Sequence, residues 1–187
     1  NRVVFLIYSS KIFNNNDKKR YIRTNLISLY MTVEIERKFL VVSSDFKKES
    51  HQKNYIKQGF LNSNKNRVVR IRLINNQGFI TVKGPSNSSG TTRFEWEREL
   101  PKAEAEALFE LCEEGIIEKY RYLVKQDTHT YEVDEFMGDN EGLVVAEIEL
   151  FSEEEAFLKP NWLGDEVTGN PKYYNSNLSK NPFLKWS

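Results

Sequence analysis

Like-charged residues two positions apart recur along this chain. Glu34 and Glu36 form one pair, Arg70 and Arg72 a second, Lys119 and Arg121 a third, and Glu147 and Glu149 a fourth. Clustered carboxylates offer the hard oxygen ligands that Mg²⁺ and Mn²⁺ prefer. Clustered guanidinium and ammonium groups offer donors to phosphate oxygens, and one arginine can engage two oxygens at once. Lys83 and Arg93 extend the basic set. An acidic set beside a basic set outlines a site for a metal–polyphosphate complex.

A spacing of two is the period of a β-strand, whose successive side chains point to opposite faces. Val33 to Phe39 predicts a strand with Glu34, Glu36 and Lys38 on one face and Val33, Ile35 and Phe39 on the other. By the same arithmetic Arg70 and Arg72 oppose Val69, Ile71 and Leu73, while Thr81 and Lys83 oppose Ile80 and Val82. Arg93, Glu95 and Glu97 oppose Phe94 and Trp96, and Lys119 and Arg121 oppose Tyr120 and Tyr122. Glu132 shares a face with Asp134, and Glu147 with Glu149. Half-buried antiparallel strands often turn a polar face to water, and any one of these strands could do so. Repeated like charges on one face repel, however, and as a set they call for counter-ions. If the sheet closes, both clusters line one cavity and the apolar faces turn outward toward helices.

Turn-forming residues at Asn75–Gly78, Gly84–Asn87 and Gly138–Asn140 punctuate the strands, and Ser86–Thr92 reads as a flexible loop. Pro101 precedes a helix predicted over Lys102–Glu114, and a weaker one is expected from Ser152 through Glu153-Glu154-Glu155. Trp96, Tyr120 and Tyr122 are expected to pack under helices, and Trp162 and Trp186 to anchor the C-terminal segment.

The 187 residues suit one domain with a short appendage. With 39% hydrophobic and 29% charged residues the chain is too apolar for disorder and too polar for a membrane bundle. Lys+Arg and Asp+Glu are both 27, which argues against a general nucleic-acid binder. The lone Cys112 forms no internal disulfide and fits a small core residue in a reducing, cytoplasmic compartment; His51 and His129 lack zinc spacing. The apolar run Val3–Tyr8 is too short to span a bilayer and leads to no signal-peptide cleavage site. Residues 1–30 read as an extension, upstream or non-native sequence before a native start at Met31, with a natural extension as the alternative.

Glu34-Ile35-Glu36-Arg37-Lys38 matches the E-x-E-x-K signature of CYTH proteins, the triphosphate tunnel metalloenzymes. It is followed in order by Gln58-Gly59-Phe60-Leu61, Arg70-x-Arg72, Thr81-Val82-Lys83, Arg93-x-Glu95-x-Glu97, Lys119-x-Arg121, Glu132-x-Asp134 and Glu147-x-Glu149. Glu166–Tyr173 resembles the family's late basic segment, and a helix follows around Tyr174–Ser179. The resemblance covers residues 31–187, with Phe60 where tyrosine is common. It implies an α+β fold, mainly antiparallel β: a closed eight-stranded tunnel barrel with helices packed on its outside. It also implies triphosphate substrates and Mg²⁺ or Mn²⁺, in the manner of the short bacterial members. On that basis Glu34, Glu36, Asp134, Glu147 and Glu149 are expected at the metal. Lys38, Lys83, Lys119 and Arg121 are expected to act in catalysis, and Arg70, Arg72, Arg93 and Lys172 to bind substrate. Glu95 and Glu97 could assist a metal or orient arginines.

Hydrolysis of inorganic tripolyphosphate to pyrophosphate and phosphate is the leading expectation. A class IV-type adenylate cyclase or a thiamine triphosphatase is the alternative enzyme, and a non-catalytic polyphosphate-binding module the alternative from another class. A small-molecule triphosphate is the expected partner, without nucleic acid or membrane, for a monomer or homodimer.

Overall fold

The computed structural model describes residues 35–64, 66–86, 93–152 and 154–186, with the backbone only for Ser86 and Arg93. The expected extension over 1–30, Glu34, and most of the loop over 86–92 lie outside the described residues. Nine strands form one antiparallel sheet: β1 (Ile35–Val41), β2 (Gln52–Asn62), β3 (Val68–Ile74), β4 (Gln77–Ser86), β5 (Arg93–Leu100), β6 (Ile117–Gln126), β7 (His129–Phe136), β8 (Val144–Leu150) and β9 (Leu163–Glu166). Their order is β5-β4-β3-β2-β6-β7-β8-β1-β9. Hairpins set the registers. Ile74 pairs with Gln77 around Asn75, and Gln126 with His129 around Asp127. Asn75 and Asp127 hold positive φ, the conformation that short polar side chains tolerate best.

The expected closed eight-stranded barrel differs from what is observed. β1 already pairs with β8 on one side and with β9 on the other, so β5 has no ladder to β1 among the described residues. The ladder is open, yet it curls: residues of β5 and of β1 line the same cavity.

On the convex face, Phe39, Tyr122, Val124, Tyr131, Val133, Ile148 and Trp162 form the main core. The short helix α1 (Phe46–Glu49) seals it, with Phe46 edge-on to Tyr122 at 5.2 Å and to Trp162 at 6.1 Å. Trp162 therefore belongs to this core rather than to the C-terminal segment; its indole N–H donates to Glu49 (3.0 Å). α2 (Lys102–Phe109) lays Ala105 and Phe109 against Ile71 and Leu73. It stops short of the predicted Glu114, because the Glu113 N–H leaves the helix path to donate to the Phe60 carbonyl of β2 (2.7 Å). The helix expected from Ser152 does not form over the described residues there. A run of acids supplies no apolar stripe, and Glu155 instead turns back to the Phe151 N–H and to His129. Trp96 is 41% exposed, with the Arg98 guanidinium 5.8 Å from its ring centroid, and Tyr120 lies edge-on to Tyr55 at 5.8 Å. Among the described residues no helix is long and apolar enough to cross a membrane.

Alternation also places Ile117, Phe136 and Val145 on the concave face beside Lys119, Asp134 and Glu147. These apolar residues close one end of that face, capped by Leu178 of α3 (Asn175–Leu178). Trp186, edge-on to Tyr173 (5.4 Å) and Phe183 (5.0 Å), fastens the C-terminal segment as expected. The docking depends on Gly115, which holds φ +90°, and a Cβ added there would meet the Ser179 carbonyl oxygen at 1.8 Å. Gly138 also holds positive φ (+60°) but has open space around it.

This contrast predicts unequal costs. Gly138→Ala should lose about 1–2 kcal/mol for conformation alone. Gly115→Ala should lose clearly more in urea denaturation, because it must also displace α3. Equal losses would show that the close approach carries no weight.

Candidate active site

A cavity of about 740 Å³ occupies the concave face. Six cationic side chains line it (Lys38, Arg70, Arg72, Lys83, Lys119, Arg121) and six acidic ones (Glu36, Glu95, Glu97, Glu132, Glu147, Glu149). Along the ladder the middle wall of β4, β3, β2 and β6 is basic or neutral, while β7, β8 and β1 form the acidic wall. Thr168, Gly169, Tyr174, Asn175 and Ser176 also line it, with Ile56, Gln58, Phe60 and Val68 from β2 and β3.

The two cations of β6 share one buried carboxylate. Asp134, 1% exposed, accepts from the Lys119 ammonium at 2.5 Å and from Arg121 through Nε (2.7 Å) and Nη2 (2.6 Å). Burial works against its charge, but Arg121 and Lys119 outweigh it and hold its pKa well below the usual aspartate range. Those contacts engage both its oxygens, so Asp134, expected among the metal ligands, anchors two cations behind the cavity lining. Lys119 is itself fully buried; burial first and Arg121 second pull its pKa down to about 8, against the pull of Asp134. Arg70 is lowered to about 10 by burial and by its neighbour Arg72. Thr81 steadies Arg70, accepting from its Nη2 (3.0 Å) and donating to Glu97 (2.6 Å). Glu95 pairs with Lys83 at 2.7 Å, so both ambiguous acids of β5 stand beside cations. Arg72 makes no ion pair with any described residue, and its Nε is buried without a partner, as is that of Arg70.

The acidic wall contains two like-charged pairs directly across ladders, Glu36 opposite Glu149 and Glu132 opposite Glu147. Such pairs destabilise a sheet unless a cation intervenes. Lys38 reaches Glu36 (3.1 Å) and bonds Glu147, while Arg121 bonds Glu132 and approaches Glu147 (3.3 Å). Burial, then repulsion from Glu147, still raises the Glu36 pKa. Among the described residues no three acids converge into a ready-made cation cage. The donor set nevertheless fits a divalent cation: all its members are carboxylate oxygens, and a cation would offset the repulsion between Glu36 and Glu147.

The structure thus gathers Glu36, Lys38, Arg70, Arg72, Lys83, Lys119, Arg121, Glu147 and Glu149 around one space, with Asp134 behind it. Lys172 is not among them. Its ammonium sits 4.1 Å from the Trp186 ring centroid and lines a separate small pocket with Asn177, Lys180 and Asn181. Sequence reasoning assigned no role to Gln58 or Thr168. Thr168 accepts from the Lys38 backbone N–H (2.9 Å) and donates to Glu166 (2.7 Å), which also pairs with Arg37. An isolated threonine in a loop carries no periodic signal, whereas Gln58 is marked by a polar residue between Ile56 and Phe60 on one strand face.

A family model for the CYTH domain matches residues 32–182. A protein of Acetivibrio thermocellus named inorganic triphosphatase is 49% identical over 154 residues, 82% of this chain and 97% of that protein. One of Nitrosomonas europaea, also named inorganic triphosphatase, is 33% identical over 150 residues, 78% of this chain and 96% of the relative. A crystal structure described as an inorganic triphosphatase superposes with a TM-score of 0.61 at 30% identity, covering 80% of this chain and 95% of that one.

Asp134→Asn should leave two buried cations short of their counter-charge and cost about 3–5 kcal/mol, read by urea unfolding at neutral pH. Because the folded pKa of Asp134 lies below its unfolded value, its contribution is present at neutral pH. It is lost only as pH falls below the ordinary aspartate range. The Asn variant should therefore lack this part of the wild-type acid transition.

Proposed function

The chain belongs to the CYTH domain family, and from that premise we propose that it is a metal-dependent inorganic triphosphatase, cleaving tripolyphosphate to pyrophosphate and phosphate. One observation carries the reading: an acidic wall and a basic wall, each unfavourable alone, face the same cavity. An all-oxyanion substrate meets the basic wall along its whole length. A nucleotide would also need a slot for its base, and Phe60 and Tyr174 are the only rings in the lining among the described residues. The curl that brings β5 and β1 to one space supports a tunnel-like enclosure.

Glu36, Glu147 and Glu149 would hold Mg²⁺ or Mn²⁺, with Glu34 added by the resemblance alone. When bound, such a cation supplies Lewis-acid neutralisation of phosphate charge. The chain's own residues do the positioning. Arg70, Arg72 and Lys83 bind along one flank of the polyphosphate, and Lys119 and Arg121 along the adjacent one. Arg93 joins this set through the resemblance. Asp134 keeps Lys119 and Arg121 fixed, so no reorganisation is needed as charge develops. Lys38, between Glu36 and Glu147, keeps a donor where the two walls meet. Phosphoryl transfer to water needs positioning and charge stabilisation more than a covalent partner. No histidine or cysteine lines the cavity among the described residues.

Phosphate release from tripolyphosphate, ATP, thiamine triphosphate and pyrophosphate, each with and without Mg²⁺ or Mn²⁺, tests the reading. Tripolyphosphate with metal should be turned over fastest. Faster turnover of ATP or thiamine triphosphate would redirect the substrate assignment. Glu36→Gln should keep or raise Tm, because it removes a repelled charge, while abolishing metal-dependent turnover. Wild-type rates in that variant would remove Glu36 from the metal site.

A pH profile checks Lys119 separately. With its pKa lowered to about 8, the ammonium is charged below that pH and neutral above it. kcat/KM for the polyanion should therefore fall as pH rises through 8. Lys119→Arg, charged throughout, should lack this limb; an unchanged limb would assign it to another group.

A further inference from the structure

β2 contributes no charge to the cavity. Its lining residues are Ile56, Gln58 and Phe60, so a single amide stands between two apolar side chains. Gln58 is 2% exposed, and its Nε2 has no hydrogen-bond partner among the described residues. Directly across the ladder stands Arg72, and Arg70 stands opposite Phe60. The Nε atoms of both arginines are also buried without partners.

An unpaired buried amide costs about 1–3 kcal/mol, so a methionine or leucine would serve folding better at this position. Nearby acids do not meet the need: Asp134 is engaged by Lys119 and Arg121, and Glu97 by Thr81 and Arg70. Three orphaned donors, one neutral and two cationic, lie on two adjacent strands facing one space. A group with several acceptor oxygens on one centre can satisfy them together, and a phosphate is such a group.

We propose that Gln58 is a substrate-binding residue, whose amide N–H donates to a non-bridging phosphate oxygen of the polyphosphate that Arg72 also holds. Cations attract the substrate from any direction, whereas a neutral donor rewards only the aligned position. Gln58 thus fixes where along the basic wall a phosphate comes to rest. The identity of the ligand rests on the triphosphatase reading; the need for an oxyanion at this place does not.

Two variants separate binding from folding. Gln58→Met removes the amide at nearly constant length, and Gln58→Glu replaces the donor with an acceptor beside Arg72. Affinity for inorganic triphosphate is measured by titration calorimetry in EDTA, without turnover, alongside the ligand-free Tm. Gln58→Met should bind about tenfold or more weakly, with Tm equal to or above wild type. Gln58→Glu should bind more weakly still, because its carboxylate would occupy Arg72. Affinity of Gln58→Met within about twofold of wild type overturns the proposal. A fall in ligand-free Tm that accounts for the lost binding in both variants also overturns it. Wild-type turnover is assayed separately. Binding without phosphate release would end the triphosphatase reading and leave Gln58 in place, whereas no wild-type binding would end both.

Discussion

Two cations cannot be kept inside a protein without an anion, and here that anion is Asp134. Its carboxylate lies beneath the cavity floor and takes hydrogen bonds from Lys119 and Arg121 with almost no exposure to water. Desolvating three charges is costly, and the cost is offset only while the geometry is kept. The neighbouring strands therefore inherit a fixed reference. β6 and β7 must keep their register, and the convex core of Tyr122, Val133 and Ile148 must pack on the far side of the same strands. The cavity is a consequence of that arrangement.

Around this anchor the walls neutralise each other. Lys38 is shared by Glu36 and Glu147, Lys83 is paired with Glu95, and Arg70 lies near Glu97. Such pairs hold the cavity together, and under the proposed function they would exchange partners with a bound cation and polyphosphate. Arg72 and Gln58 stand outside the exchange, because neither has an internal hydrogen-bond partner for its free donor. Charge balance explains why the formal net charge of zero coexists with a site for a strongly anionic ligand.

Most of the strand faces were legible because period two is a local property. Glu36 with Lys38, Arg70 with Arg72, Lys119 with Arg121 and Glu147 with Glu149 all reach the side that alternation predicts. Depth along a strand was not legible. Glu132 and Asp134 share a face, yet the Glu132 side chain is 41% exposed and that of Asp134 2%. The difference comes from depth: Asp134 lies at the end of the concave face that Ile117, Phe136, Val145 and Leu178 close, and Glu132 lies one step further out. β9 is four residues long and offers no pattern, although it changes the sheet's edge. The helix expected after Ser152 failed for a physical reason: a favourable start cannot replace an apolar stripe. Gln58 carried a weak signal, a lone amide in an apolar alternation, whose meaning depends on the unpaired nitrogen seen only in three dimensions.

β9 occupies the outer edge of β1, and among the described residues ladders join the two flanks of the curled sheet only the long way round, through β2 and β6. Over the described residues the cavity is, mechanically, a split ring. Its cut lies between the β5 flank, which carries Glu95 and Glu97 beside the basic strands, and the acidic flank of β8 and β1. A ligand gripped from both flanks spans the cut and resists its widening, as a crossbar stiffens an open hoop. Occupancy would therefore stiffen this sheet across a gap that no ladder bridges among the described residues.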